Sequence, residues 1–258
     1  MKTEITGGGA RSECAARYLI NADLPEKCGI ERIRLLPIPS TRDGVYVSGT
    51  ELPLSSLPSE LDGKTLLVGY GLPKPLRGEL AAAGIPTLDV KDDESFVLEN
   101  ARLTALGALC HLVLRDGRDP RDTSYGVIGY GRIGSQLVRM LLFFGARVTV
   151  FTTSEKNRLT LGELGIACAD IRKEELPSDA LLGLDVLVNT APTELTYLFP
   201  DGETKGLFVC DLASGDSFPG ISGVEYLPSV PSRLLGEGAG LAYGRAVERY
   251  LSKIGGGV

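Results

Sequence analysis

The residues whose types and spacing point most directly to chemistry are three glycines in the run Gly129-Tyr130-Gly131-Arg132-Ile133-Gly134. At this spacing the first glycine permits a tight turn, the second lets a pyrophosphate approach the main chain, and the third lets a helix pack closely on the preceding strand. A helix that begins at Arg132 turns its free amides and the positive end of its dipole toward the phosphates. The chemistry is dinucleotide binding; the alternative is three ordinary turn glycines. The setting decides between them. A short β-forming run, Tyr125 to Ile128, precedes the glycines. A helical run with apolar Leu137, Met140, Leu141 and Phe144 follows, and Gly145 introduces a second strand, Arg147 to Phe151. This is one βαβ unit.

Counting about 20 residues on from the first glycine, where an NAD site usually places an acid, reaches Phe151-Thr152-Thr153-Ser154, which contains none. The hydroxyls of Thr152, Thr153 and Ser154, with Lys156 and Arg158 just beyond, suit a ribose 2′-phosphate. NADP(H) is therefore the expected cofactor and NAD(H) the alternative, while Lys156 and Arg158 also fit the solvated face of the next helix. Two later strand ends belong to the same site. Asn189-Thr190-Ala191-Pro192 forms a small turn that lets a nicotinamide ribose approach, and Asp211-Leu212-Ala213-Ser214 offers a carboxylate and a hydroxyl. Either stretch also reads as an ordinary strand-end turn. Asp211 is the one carboxylate nominated as acid/base or amide-orienting group. For an anionic substrate the candidate contacts are Arg11 and Ser214, with Ser232 nearby; a surface arginine in a glycine-rich turn is the plain reading of Arg11. Lys74 and Arg77 read better as a solvated helix face. His111, the only histidine, reads as structural.

These residues need a scaffold of alternating strands and helices. The pattern predicts strands at Ile33–Ile38, Gly44–Val47, Lys64–Val68 and Thr87–Val90 with a helix at Pro75–Ala83. A mostly apolar bridging helix follows at Phe96–Arg115. After Thr152 come helices near Lys156–Leu164 and Glu174–Leu182, strands at Ile166–Ala169, Asp185–Asn189, Leu207–Leu212 and Val224–Leu227, and a last helix at Gly236–Ile254. The expected fold is α/β, a Rossmann-type doubly wound parallel sheet with a second, smaller α/β domain. Residues 1–98 with about 236–258 are assigned to the smaller substrate-side domain, 99–119 to the bridging helix and linker, and 120–235 to the dinucleotide-binding domain.

Composition narrows the function classes. The chain has 258 residues, 43% of them hydrophobic, enough for a full core, and a net charge of −6 with no basic block, so nucleic acid and anionic membranes are not expected partners. The start lacks an apolar signal core, and no run reads as the roughly 20 apolar residues of a membrane span. The expected location is the cytoplasm. Cys14, Cys28, Cys110, Cys168 and Cys210 are odd in number and lack C-x-x-C spacing; they are expected as buried free thiols, and no metal is expected.

Taken together, the motifs resemble dipicolinate synthase A, itself similar to the NAD-binding domain of D-2-hydroxyacid dehydrogenases. They are Gly7-Gly8-x-Ala10-Arg11, Asn100-x-x-x-Thr104-x-x-Gly107-Ala108, the Gly129–Gly134 turn, Asn189-Thr190-x-Pro192, Asp211-Leu212-Ala213-Ser214, and Leu227-Pro228-Ser229-Val230-Pro231 followed by Ala239-Gly240. The resemblance implies pyridine-nucleotide-dependent oxidation of a hydroxytetrahydrodipicolinate to dipicolinate in a sporulating bacterium. It further implies a small anionic substrate and a homo-oligomer that works with a flavoprotein-like partner. The mode would be unlike that of the hydroxyacid dehydrogenases, whose Arg, Glu and late His have no counterparts here: Ser214 follows the fifth strand and no histidine lies beyond His111. Leu103 and Leu106 stand where the family pattern has Pro and Glu, and Gly236-Glu237-Gly238 where it has Pro-Lys-Thr. The first half is expected to be shortened relative to that family. These departures keep two alternatives open: a nucleotide-binding partner or sensor with little turnover, and a dehydrogenase of another hydroxy or imino acid.

Overall fold

The computed structural model describes residues 1–25, 28–176 and 179–256. The chain divides into two units, residues 1–100 with 231–258 and residues 101–230, each built on its own parallel sheet. The first unit begins with β1 (Lys2–Ile5), α1 (Ala10–Asn21), β2 (Arg32–Leu35), α2 (Leu57–Glu60), β3 (Thr65–Gly69), α3 (Lys74–Ala82) and β4 (Thr87–Asp89). Helix α4 (Glu94–Asp116) carries the chain onward. The second unit contains β5 (Ser124–Ile128), α5 (Arg132–Phe143), β6 (Arg147–Phe151), α6 (Glu155–Glu163), β7 (Ala167–Ala169), β8 (Val186–Asn189), β9 (Phe208–Asp211) and β10 (Val224–Tyr226). Helix α7 (Val230–Leu234) leads to α8 (Gly236–Gly255).

In the first unit the four strands pair in chain order, all parallel, with Thr3 opposite Ile33 and Ile33 opposite Leu66. Strand β3 reads Thr-Leu-Leu-Val-Gly and is buried throughout, the continuous apolar run expected of a parallel strand covered on both faces. Leu67 packs with Leu57, Leu76 and Leu80 of α2 and α3. Tyr243 of α8 lies fully buried, its ring 6.1 Å from that of Phe96, and its hydroxyl meets the Leu36 and Val68 carbonyls at 3.0 and 3.1 Å. Three glycines spaced by four residues set α8 hard against α1: a Cβ at Gly240 would lie 2.3 Å from that of Cys14, one at Gly244 2.5 Å from the Tyr18 ring, and one at Gly236 2.9 Å from the Ala10 Cβ.

The second sheet runs β10-β9-β8-β5-β6-β7. Counted from β5, this is the order 3-2-1-4-5-6 of a doubly wound dinucleotide fold, whose ligand crevice lies at the carboxyl ends of the two central strands, where the order reverses. One face is covered by α4, α5 and α6, through Ala105, Leu109, Leu112, Leu137, Leu141 and Leu161. The other lies under irregular segments, where Leu195, Leu198, Phe199 and Phe218 cover Ile128, Phe151, Leu187 and Val209.

Several elements differ from expectation. Residues 44–47 form no strand; only a bridge between Tyr46 and Pro53 is present, because Asp43 accepts from the amides of Val45 and Tyr46 and bends the chain. The expected helix near Glu174–Leu182 is absent from the described residues, which form turns; Pro177 and Ser178 lie outside them. By length and composition α4 passes as a membrane-crossing helix, against the sequence reading, but Phe96, Ala105, Ala108, Leu109 and Leu112 on it are buried in protein. Of the five free thiols, Cys14 and Cys210 are buried, Cys28 and Cys168 half-buried, and Cys110 is exposed on α4.

Candidate functional site

The glycine turn sits at the carboxyl end of β5, beside the end of β8. Gly129 has φ +89°, the left-handed region that favours glycine, and a Cβ there would lie 2.7 Å from the Thr190 hydroxyl. A Cβ at Gly134 would lie 2.1 Å from the Gly129 carbonyl oxygen, so the first turn of α5 approaches β5 as closely as glycine alone permits. Gly131 differs from both: a Cβ there would meet no protein atom within 4 Å. The backbone at Gly131 is thus open on the side where a phosphate would approach. Gly131 is also the cap residue of α5, and no side chain caps that terminus, the kind of helix end that can receive an anion. Tyr130 and Ile133 are half-buried against the core beneath the turn; Arg132 is exposed. The tight turn at Gly129 and the close helix packing at Gly134 are thus present, and Gly131 is left open.

The two later strand ends meet beside this turn. Thr190 holds it directly, its amide and its hydroxyl both donating to the Ile128 carbonyl at 2.9 Å. Asn189 is fully buried. Its Nδ2 donates to Asp211 Oδ1 and Ser217 Oγ, each at 2.9 Å, and to the Ala191 carbonyl at 3.0 Å, while its Oδ1 accepts from the Ala191 amide. Asp211 Oδ1 also accepts from the Ala213 amide at 2.9 Å. Asn189 and Asp211 thereby latch the ends of β8 and β9 to each other and set both following loops. Asp211 Oδ2 is buried with no partner among the described residues, so one acceptor oxygen remains. Ala191 is half-buried, and Pro192 and Ser214 are exposed on these loops. Sequence reading missed Ser217, which is 2% exposed; only its hydroxyl type marked it.

At the end of β6 the hydroxyls serve the local chain. Thr152 is buried and its Oγ1 accepts from the Ser154 amide; Ser154 in turn caps α6 through the Asn157 amide. Thr153 and Lys156 are exposed. Arg158 is held by two acceptors: Nη1 donates to the Thr152 carbonyl at 2.8 Å and pairs with Asp170 at 2.9 Å. Asp170, just beyond β7, also pairs with Arg172, and hydrogen bonds from Arg172, aided by the Arg158 charge, hold its carboxyl down at about 2. Arg158 is thus tied into the fold, and of the two expected cations Lys156 is the one exposed.

Solved structures share this architecture. Dipicolinate synthase A from Bacillus halodurans superposes with a TM-score of 0.75 at 19% identity, over 97% of this chain and 97% of that one. The fold is that of dipicolinate synthase A. The Bacillus subtilis counterpart gives a TM-score of 0.72 at 18% identity over 98% of this chain and 96% of that one, and an L-alanine dehydrogenase 0.60 at 15%, over 100% and 90%. No protein-family model and no curated protein sequence matches the chain. The near-complete spans run against the expected shortening of the first half.

The residues that depart from the dipicolinate synthase pattern have defined places. Leu103 is buried and Leu106 half-buried on α4. Glu237, at the start of α8, pairs with Arg17 and accepts from Cys14 Sγ at 3.0 Å, so it fastens α8 to α1. Arg11, on the first turn of α1, is 5% exposed, contrary to a surface arginine; Nη2 donates to Asn100 Oδ1 at 3.1 Å. Burial pushes its pKa down to about 10, so it stays cationic at neutral pH. Ser232 is half-buried on α7, Lys74 is exposed, and Arg77 pairs with Asp92 and Asp89. His111 Nε2 lies 2.8 Å from Glu225 Oε1, and Arg115 also approaches the Glu225 carboxylate, a structural cluster in the second unit.

Proposed function

We propose that the protein is a pyridine-nucleotide-dependent oxidoreductase that moves a hydride between a nicotinamide and a small anionic hydroxy or imino acid. The observation that carries this reading is the glycine turn at the strand-order reversal, with an open backbone at Gly131 and a helix packed as only Gly134 permits. Bound there, the cofactor would supply the hydride acceptor or donor, and the protein orientation and exclusion of water. The amides of the α5 first turn would hold the diphosphate, the Asn189–Pro192 turn would face the nicotinamide ribose, and Asp211 Oδ2 would accept from the nicotinamide amide or take a substrate proton. Ser214 is the second candidate beside it, and Arg11 and Ser232 are the proposed substrate contacts on the first unit. NADP(H) is favoured over NAD(H) by the absence of an acid on Phe151–Ser154 and by exposed Thr153 and Lys156. Within this reading the substrate is a hydroxytetrahydrodipicolinate, converted to dipicolinate by loss of water, of a hydride to the cofactor and of a proton to solvent. The setting is the cytoplasm of a sporulating cell, and the protein acts as a homo-oligomer with a flavoprotein-like partner.

A second reading, a nucleotide-binding sensor, is favoured by Leu106 and by the engagement of Glu237 with Arg17 and Cys14, since both positions differ from the dipicolinate synthase pattern. Incubation with NADP⁺ and hydroxytetrahydrodipicolinate, followed by the near-ultraviolet absorbance of reduced cofactor, tests the choice. Turnover supports the enzyme. No turnover with an NADPH-dependent rise in melting temperature, which reports binding to the folded state, supports the sensor. Neither signal rejects both. Tighter binding of NADH than of NADPH removes the cofactor preference.

A further inference from the structure

Among the described residues, six side-chain polar atoms are buried without a hydrogen-bond partner. Two of them, Thr6 Oγ1 and Ser48 Oγ, belong to segments that meet at the turn after β1, and a third, Arg11 Nε, belongs to α1, which begins three residues after Gly7. Thr6 precedes Gly7. A Cβ at Gly7 would lie 3.1 Å from the Ser48 carbonyl oxygen and 3.3 Å from Thr50 Cγ2, which places the 48–50 segment against the turn. Arg11 is the second residue of α1, whose cap residue Gly9 leaves that terminus without a side-chain cap. Native proteins pair nearly all buried polar atoms, so the unpartnered donors on this turn and on the helix that follows it leave hydrogen-bonding capacity for a ligand.

Each of the three groups can donate. Arg11 is a cation with 5% exposure that donates to the neutral Asn100 amide oxygen, and no carboxylate of the described residues forms an ion pair with it. A buried charge without a counter-ion is costly. Gly8 and Gly9 would place a Cβ in open space, so the backbone amides ahead of α1 are approachable as well. Hydroxyls, a guanidinium edge and helix-terminal amides together complement an oxyanion. The planar fork of an arginine matches the two oxygens of a carboxylate.

We propose that the Gly7 turn, with Arg11, Thr6 and Ser48, is the subsite that binds a carboxylate of the small organic acid on which the protein acts. This assignment rests on the oxidoreductase reading for its choice of ligand and extends it by naming the substrate group that Arg11 would hold and two hydroxyl contacts beside it. Glu237 does not serve this site, because Arg17 and Cys14 hold it on the α1–α8 surface.

The test is made on the full-length ¹⁵N-labelled protein by following the side-chain Nε–H resonance of Arg11, assigned by its loss in Arg11→Lys. Titration with dipicolinate and with pyruvate is expected to move this resonance saturably for at least one acid, while uncharged pyridine leaves it in place. Thr6→Val and Ser48→Ala are each expected to weaken acid binding about 10- to 100-fold, the loss of one hydrogen bond to a charged group, with the NADPH dissociation constant unchanged. An Arg11 resonance that neither acid moves, or that inorganic phosphate moves at lower concentration than either acid, overturns the assignment, as does unaltered acid affinity in both hydroxyl variants. NADPH binding is read in the same samples. Its loss in the wild type counts against the oxidoreductase reading, whereas acid failure with NADPH bound counts against this subsite alone.

Discussion

The carbonyl oxygen of Gly129 lies 2.1 Å from where a Cβ on Gly134 would stand, so strand β5 and helix α5 meet at a separation that no other residue at position 134 tolerates. Gly134→Ala forces the helix away from the strand. Overpacking of this kind costs about 1–3 kcal/mol, or a fall in melting temperature of roughly 2–4 °C per kcal/mol for a chain of this size. Calorimetry of the variant is expected to show that fall together with loss of NADPH binding, because the displaced helix carries the amides proposed to hold the diphosphate.

Gly131→Ala separates binding from stability. The new methyl meets no protein atom within 4 Å, so stability should stay within about 0.5 kcal/mol of wild type, while the methyl occupies the approach proposed for the diphosphate. NADPH affinity measured by isothermal titration is expected to fall about tenfold or more, equivalent to roughly 1.4 kcal/mol. An unchanged affinity would remove Gly131 from the site.

Asn189 is the keystone of the latch between β8 and β9. Asn189→Leu deletes the donors to Asp211 Oδ1, Ser217 Oγ and the Ala191 carbonyl and leaves a buried carboxylate with one remaining partner, the Ala213 amide. Leaving buried polar groups unsatisfied costs about 1–3 kcal/mol each, more for a charge. Urea unfolding should show a loss of about 2–4 kcal/mol without a change of slope. The double variant Asn189→Leu/Asp211→Leu is expected to recover part of it, since both partners of the pair are then apolar.

Acid stability depends on Asp170. Hydrogen bonds from Arg172, with the Arg158 charge, lower its carboxyl from the ordinary 3.8 to about 2 in the folded protein. A lowered folded-state value means that the stabilisation is complete above about pH 4 and fades as the pH falls toward about 2, because protons then favour the unfolded chain. In Asp170→Asn, the difference in stability from wild type, measured by denaturant titration at a series of pH values, should be constant near neutrality and shrink between about pH 4 and 2.

What the sequence made legible was local. The Gly129–Gly134 spacing, the β-branched run before it and the apolar helix after it lie within one βαβ unit, and short-range periodicity is enough to place them. Strand β3, a continuous apolar run, was equally plain. Roles that depend on distant partners were not. Asp170 is twelve residues beyond Arg158, and nothing local says that it captures the guanidinium. Arg11 reads as a surface residue in a glycine-rich turn, yet the packing of α1 buries it. Gly236, Gly240 and Gly244 look like flexible positions in a helix, and their purpose is apparent only from Ala10, Cys14 and Tyr18 across the α1–α8 contact. The run near Glu174–Leu182 has helix-forming composition on either side of Pro177, but a proline inside a helix removes a needed amide, and the described residues there form turns.

The measurement that bears most directly on this account is a crystal structure of the protein grown with NADPH, paired with titration of the same preparation. The expected result is saturable binding, with diphosphate oxygens within hydrogen-bonding distance of the backbone amides between Gly131 and Gly134 and the nicotinamide beside the Asn189–Pro192 and Asp211–Ser214 loops. No saturable binding of either NADPH or NADH, or a nucleotide lodged away from the Gly129 turn, would contradict it.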